Sequence, residues 1–331
     1  MQRIAVLGAG SWGTALALQL ARNQHDVTLW GHRAEHISAL QNARENTHYL
    51  PGIPFPDNLH VSSDLVQSIT DNDVILAVVP SHAFADLLKA VKPHLGKRPF
   101  MWAIKGFEAG SGRLLSDVFA DIIGADHPHA MLAGPSFAKE VAANQPTAVT
   151  IAAPNLELAE QFAAHFHGSV FLCYTSCDLI GVQIAGAVKN VIAIATGIAD
   201  GIGCGANARA ALITRGLREI SRLAEALGAD PATMSGLAGM GDLVLTATDN
   251  QSRNRRFGLA LGKGITPEQA KAEIGQVVEG EGATFDTWIL ANRLGVRMPI
   301  TTHLHAILSG EASLKEAILS LLDRTIKAED D

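Results

Sequence analysis

The stretch Arg3-Ile4-Ala5-Val6-Leu7-Gly8-Ala9-Gly10-Ser11-Trp12-Gly13-Thr14 decides the fold. A short apolar run meets three glycines spaced G-x-G-x-x-G, and a helical pattern follows over residues 14–22. Each glycine has its own task. Gly8 permits a tight turn, Gly10 lets the backbone approach a pyrophosphate, and Gly13 lets the helix pack closely on the strand. The helix N-terminus adds free N–H groups and the positive end of its dipole, which suit phosphate. Glycines at this spacing also mark plain turns, so the flanking strand and helix are what make this a dinucleotide motif.

Outward from the motif, apolar runs at residues 26–30, 73–79, 99–104, 130–133, 148–152 and 170–173 read as further strands. Amphipathic stretches such as 34–46 and 83–91 lie between them. Strands alternating with helices indicate a parallel sheet, because parallel strands need crossover connections. After about residue 177 the strand-like runs stop. Helical pattern then dominates, including residues 209–227, 254–261, 283–294 and 314–322. The expected fold is therefore an α/β Rossmann-type doubly wound sheet over residues 1–176 and an all-helical domain over 177–331. The length of 331 residues suits two cores better than one.

Bulk composition narrows the function. Hydrophobic residues make up 47% and charged residues 18%, a globular balance. The formal net charge of −7 favours neither nucleic acid nor an anionic membrane. A small anion remains possible as a ligand, since it needs only a local basic site. Cys173, Cys177 and Cys204 cannot complete a disulfide set, which fits a reducing compartment. Their spacing matches neither a C-x-x-C redox motif nor a zinc site, and packing is the expected role. No signal peptide is visible, because the chain runs straight into its first strand. Residues 179–203 are the most membrane-like, but Gln183, Lys189, Asn190 and Asp200 interrupt them. That segment is expected as a buried core helix, the protein as cytoplasmic, and the acidic end Glu329-Asp330-Asp331 as a solvated tail.

Several polar residues stand out against this background. About 20 residues past the glycines, the second strand ends at His32-Arg33, where an NAD-selective site usually carries an acid. Arg33 is placed to meet a 2′-phosphate, or else it merely opens the next helix; the first reading predicts that NADP(H) serves at least as well as NAD(H). Lys189 sits mid-helix among apolar residues with no acid within four positions. A buried ammonium needs a partner, a wet cleft or a lowered pKa, all of which suit acid–base work; otherwise the side chain snorkels to the surface. Asn190 beside it either orients an amide against a ligand or satisfies core polar groups.

Lys105 follows a strand at the carboxyl edge of the sheet, where open α/β folds bind ligands. Gly134-Pro135-Ser136 follows another strand and resembles a helix start, with Pro135 near the first turn. Asp242, among glycines, is the obvious partner for a lysine. Ser252-Arg253-Asn254-Arg255-Arg256 is a basic run at an expected helix N-terminus. Arg253 there can fork onto a phosphate while Ser252 and Asn254 add donors, although such runs are often only a solvated face. The glycines at 201–205 and 239–241 read as hinges or as tight turns.

Together these residues carry a resemblance. The chain resembles bacterial-type NAD(P)-dependent sn-glycerol-3-phosphate dehydrogenases through Gly8-Ala9-Gly10-Ser11-Trp12-Gly13, Gly134-Pro135-Ser136-Phe137-Ala138-Lys139-Glu140 and Val188-Lys189-Asn190-Val191. Gly239-Met240-Gly241-Asp242-Leu243, Ser252-Arg253-Asn254 and Val277-Val278-Glu279-Gly280 continue it in the family's order. The resemblance implies a helical domain like that of 6-phosphogluconate dehydrogenase and interconversion of dihydroxyacetone phosphate and sn-glycerol 3-phosphate. It implies Lys189 as acid/base with Asp242 and Lys105 in support. Substrate contacts would come from Lys105, Gly134, Ser136, Lys189, Asn190, Asp242, Ser252, Arg253 and Asn254. Around NADP(H) or NAD(H) it places Gly8, Gly10, Ser11, Trp12, Gly13, His32, Arg33, Lys105, Ala138, Arg253, Val277 and Glu279. The family's role is supplying glycerol 3-phosphate for phospholipid synthesis. A β-hydroxyacid or 6-phosphogluconate-type dehydrogenase, and a non-catalytic dinucleotide-binding module, are the competing readings. A homodimer is expected because symmetric dimers are the commonest assemblies.

Overall fold

Chain order gives strands β1 (Arg3–Leu7), β2 (Asp26–Trp30), β3 (Leu59–Ser62), β4 (Val74–Ala77) and β5 (Phe100–Trp102). After them come β6 (Phe107–Glu108), β7 (Arg113–Leu114), β8 (His129–Ala133), β9 (Thr147–Ala152) and β10 (Phe171–Ser176). The computed structural model describes residues 1–314 and residue 316. Eight strands form one sheet in the order β10-β9-β8-β5-β4-β1-β2-β3, while β6 and β7 pair as a separate short hairpin. Every residue of β4, β5 and β8 is buried, as are Ile4 to Leu7 of β1. Helices cover both faces there, so these strands read as continuous apolar runs with no polar alternation.

The sheet reverses direction of growth at β1, which pairs with β2 on one side and β4 on the other. The crevice beyond the carboxyl ends of these strands is the binding position of a doubly wound sheet. The glycine loop closes it. Gly8 has φ +133°, and a Cβ there would lie 2.3 Å from the Val78 carbonyl oxygen.

The sheet is parallel from β3 to β8, but β8 and β9 pair antiparallel, so β9 and β10 run opposite to the rest. The expected parallel, doubly wound sheet thus carries an antiparallel join at one edge. The β8–β9 connection contains only a five-residue helix, Ala138–Ala142, too short to carry the chain back along the sheet. That helix also corrects the expectation of a start at Pro135. Gly134 adopts φ +130°, and regular helix begins only at Ala138. The helix expected over 34–46 ends at Ala43, because Arg44 takes a left-handed φ of 51°. The segment 314–322 and the acidic tail lie essentially outside the described residues.

Beyond Ser176 the described residues contain only helices, turns and loops. Helix Leu179–Gly201 runs through their centre, with the Asp178 carboxylate accepting the Gly181 N–H at its start. Its most apolar 18-residue window is 83% buried inside the fold, so its hydrophobicity serves a core. Helix Arg253–Gly262 presses against it backbone to backbone: a Cβ on Gly258 would lie 2.0 Å from the Ile194 carbonyl oxygen. This contact sets Asn190 and Asn254 of the two helices beside one another.

Candidate active site

Lys189 lies midway along the central helix and is 5% exposed. Its Nζ donates to Asp242 Oδ1 and, at 2.9 Å, to Thr246 Oγ1. Asp242 opens helix Asp242–Thr248, directly after the π-helical turn Leu237–Gly241. The glycine-rich 239–241 segment is thus part of a packed turn: a Cβ on Gly239 would fall 2.3 Å from the Met234 carbonyl oxygen. Such turns recur where a helix must aim a functional side chain. From the sheet edge, Lys105 Nζ donates to Asp242 Oδ2 at 2.7 Å and to the Gly134 carbonyl at 2.9 Å. Ser136 Oγ donates to that same carbonyl at 3.0 Å.

One buried carboxylate therefore holds two ammonium groups, and the trio carries a net positive charge. Burial pushes the Lys189 pKa down to about 7; Asp242 opposes that shift and Lys105 reinforces it. Burial alone would raise Asp242, but the two lysines prevail and hold it below the usual carboxylate range. A cation this close to neutrality can lose or regain a proton at modest cost. Thr246 was not singled out from the sequence. Its signal was its position four residues after Asp242, hence on the same helix face.

The remaining predicted residues divide into two groups. Asn190 Oδ1 accepts from Asn254 Nδ2 at 2.9 Å, and Asn254 Oδ1 accepts the Gly280 N–H at 2.9 Å. Ser252 caps its own helix, its Oγ accepting the Arg255 N–H at 3.2 Å. In this arrangement Ser252 and Asn254 brace the helix start, and Arg253 projects from it toward the Val277 carbonyl at 3.3 Å. Burial lowers the Arg253 pKa, with Glu279 countering. Glu279 is raised by burial and accepts a 3.1 Å bond from Ser81 Oγ, which ties the β4 exit to helix Glu279–Leu294.

At the glycine loop, a Cβ on Gly13 would sit 1.8 Å from the Gly8 carbonyl oxygen, whereas one on Gly10 would meet nothing within 4 Å. The first glycine seals the helix to the loop and the second leaves room for a ligand's phosphates. Ser11 starts helix Ser11–Arg22. The Trp12 Nε1 is buried without a hydrogen-bond partner, while Trp12 and Ala138 pack against the same apolar cluster. An open approach over Gly10 and an unused indole N–H fit a dinucleotide. His32 and Arg33 are exposed at the end of β2, and Arg33 Nη2 donates to Tyr49 OH at 2.9 Å. Of the cysteines, Cys177 is exposed, so packing does not account for it; burial pushes the Cys173 thiol up to about 12.

A dinucleotide glycine loop, and at the same sheet edge a lysine that shares one aspartate with a second, buried lysine, define a nicotinamide-linked oxidoreductase. Comparison with known proteins supplies the family. Residues 3–159 match the model of the NAD-dependent glycerol-3-phosphate dehydrogenase N-terminus, and residues 178–319 match that of its C-terminus. The glycerol-3-phosphate dehydrogenase [NAD(P)+] of Photorhabdus laumondii is 54% identical over 332 aligned residues, covering 99% of this chain and 97% of the relative. The enzyme of the same name from Edwardsiella ictaluri is 54% identical, with 98% and 97% covered. The crystal structure of glycerol-3-phosphate dehydrogenase from Coxiella burnetii superposes with a TM-score of 0.94 at 47% identity, covering 98% of this chain and 99% of that one. The chain belongs to the NAD-dependent glycerol-3-phosphate dehydrogenase family.

Proposed function

We propose that this chain interconverts dihydroxyacetone phosphate and sn-glycerol 3-phosphate, with NADPH or NADH as hydride carrier. The observation that carries the reading is the buried Lys189–Asp242 pair with Lys105 joined to it at the carboxyl edge of the sheet that also bears the glycine loop. When bound, the reduced nicotinamide supplies a hydride to the C2 carbonyl carbon. Lys189, protonated, donates a hydrogen bond to the carbonyl oxygen and then its proton as negative charge develops there. Asp242 keeps that ammonium charged and aimed. Lys105, bonded to the Gly134 carbonyl, adds a second positive charge beside the same oxygen or the phosphate.

Arg253 grips the phosphate, a part of the substrate that does not react, and the binding energy orients C2. Ser252, Asn254 and Asn190 fix that arginine's helix against the central helix, and with Gly134 and Ser136 they border the substrate. Gly8, Gly10, Ser11, Trp12, Gly13, His32, Arg33, Ala138, Val277 and Glu279 line the cofactor's path, shared with Lys105 and Arg253. We divide the chain into a nucleotide-binding unit, 1–176, and a helical substrate unit, 177–331, and assign it a cytoplasmic homodimer that feeds phospholipid synthesis. The deciding assay follows NADPH and NADH absorbance with dihydroxyacetone phosphate, using unphosphorylated dihydroxyacetone as control. Rapid phosphate-dependent oxidation is expected. Turnover only with a keto acid would overturn the reading in favour of a hydroxyacid dehydrogenase.

A further inference from the structure

The end of β2 carries more titratable side chains than nucleotide recognition by one arginine requires. His32 and Arg33 leave the strand, and His36 follows on helix Ala34–Ala43, whose start is Arg33 itself. The next segment returns His48 and Tyr49 to the same place. The rings of His36 and Tyr49 meet edge-on with centroids 5.3 Å apart, His48 and Tyr49 at 4.4 Å, and His36 and His48 at 6.3 Å. Arg33 is tied to this group through the 2.9 Å bond to Tyr49 OH. The cluster touches the glycine loop directly, since His36 Nε2 lies 3.2 Å from the Ala9 carbonyl oxygen.

That last contact fixes a tautomer. A carbonyl oxygen only accepts, so Nε2 carries the hydrogen and Nδ1 is the nitrogen left to take up a second proton. The other charged groups on these elements point elsewhere or are exposed. Glu45 accepts the Gly52 N–H, Arg44 donates to the Leu59, Phe55 and Pro56 carbonyls, and Glu35 is exposed on the helix. Burial above all holds the His36 pKa below the ordinary value; the Ala9 carbonyl opposes this, and Arg33, His48 and His32 add to it. A phosphate brought into the cluster would oppose that shift, because it offers negative charge beside Arg33 and the imidazole rings.

We propose that His36 and His48 are specificity-determining residues which make the choice between NADPH and NADH depend on pH. The proposal rests on the cofactor reading above. Protonation of His36 at its free Nδ1, with the His48 ring packed beside it, adds positive charge to the pocket of Arg33, where only NADPH carries a 2′-phosphate to receive it. NADH presents two hydroxyls there and gains little. As pH falls from about 8.5 to about 6.5, the preference for NADPH therefore strengthens. The range stops near the phosphate's own second pKa of about 6, below which the ligand loses charge.

The test measures kcat/KM for each cofactor across this range, together with dissociation constants from nicotinamide fluorescence. The proteins are wild type, His36→Gln, His48→Gln and the double variant. Glutamine keeps an N–H for the Ala9 carbonyl but cannot become a cation. The wild-type NADPH/NADH ratio is expected to rise by about three- to tenfold, a plausible span for one added charge at a partly wet site. The ratio in the double variant is expected to be flat. A flat wild-type ratio, or an equal slope in the double variant, would overturn the proposal. Binding of neither cofactor by folded wild-type protein would instead overturn the cofactor reading, and this inference with it.

Discussion

The glycine loop and Lys105 of the lysine trio leave the same carboxyl edge of the sheet, but the two sites are built in opposite ways. Gly8 to Gly13 are contiguous, and their function follows from local backbone geometry that any reader of the spacing can reconstruct. Lys189 and Asp242 lie 53 positions apart in sequence, and Lys105 and Asp242 lie 137 apart. Nothing local requires them to meet. The difference teaches where each kind of site is vulnerable: the loop to added atoms, the trio to lost charge.

Removing charge at the trio has the largest expected effect. Lys189→Ala should lower kcat by roughly 10² to 10⁴, the range of a lost acid/base, with cofactor binding retained. Steady-state turnover with dihydroxyacetone phosphate checks this, and near-normal kcat would end the assignment. Arg253→Ala comes next. Loss of a charge-assisted hydrogen bond, about 1.5 to 3 kcal/mol, should raise KM for the phosphorylated substrate by about 10- to 150-fold. The free-enzyme Kd for NADPH, measured by fluorescence, should change less. An equal loss in both would move Arg253 to the cofactor side of the comparison.

At the loop, two glycine substitutions should separate structure from binding. Gly13→Ala forces a Cβ to 1.8 Å from the Gly8 carbonyl oxygen, so a main chain must shift. Overpacking of this kind costs about 1 to 3 kcal/mol and should appear as a lowered Tm without ligand. Gly10→Ala meets no atom within 4 Å and should leave that Tm unchanged. Its methyl stands where phosphates must approach, and an NADPH Kd weaker by about tenfold, or 1.4 kcal/mol, is expected. If Gly10→Ala binds NADPH normally, the space above it belongs to something else.

Legibility followed the same divide. Strands β1, β4, β5 and β8 were readable because their buried apolar runs are nearly unbroken. β3 was not, since Leu59-His60-Val61-Ser62 is a four-residue edge strand with half its side chains polar. β6 and β7 pair over two residues each, below any periodic signal. The reversal at β9 depends on the length of the helix before it, and the composition of that helix does not specify it. Lys105, Lys189 and Asp242 each stood out alone, as charges in apolar or glycine-rich surroundings. Their convergence on one carboxylate is tertiary. So is the grouping of His36, His48 and Tyr49 around Arg33, which needs the left-handed turn at Arg44 to bring the chain back.

The smallest expected effects are shifts of a pH profile, and they probe the trio more finely than any deletion. Carbonyl reduction needs Lys189 protonated, so kcat/KM should fall as pH rises through its free-enzyme pKa, near 7. The two neighbours push that value in opposite directions. Asp242 stabilises the ammonium and raises the pKa, whereas Lys105 repels it and lowers the pKa. Asp242→Asn should therefore move the falling limb to lower pH, and Lys105→Met should move it to higher pH, whatever each does to the maximal rate. A general loosening of the site would shift both limbs the same way. Limbs that moved together, or stayed fixed, would mean that the group titrating in turnover is not Lys189, however well it is buried.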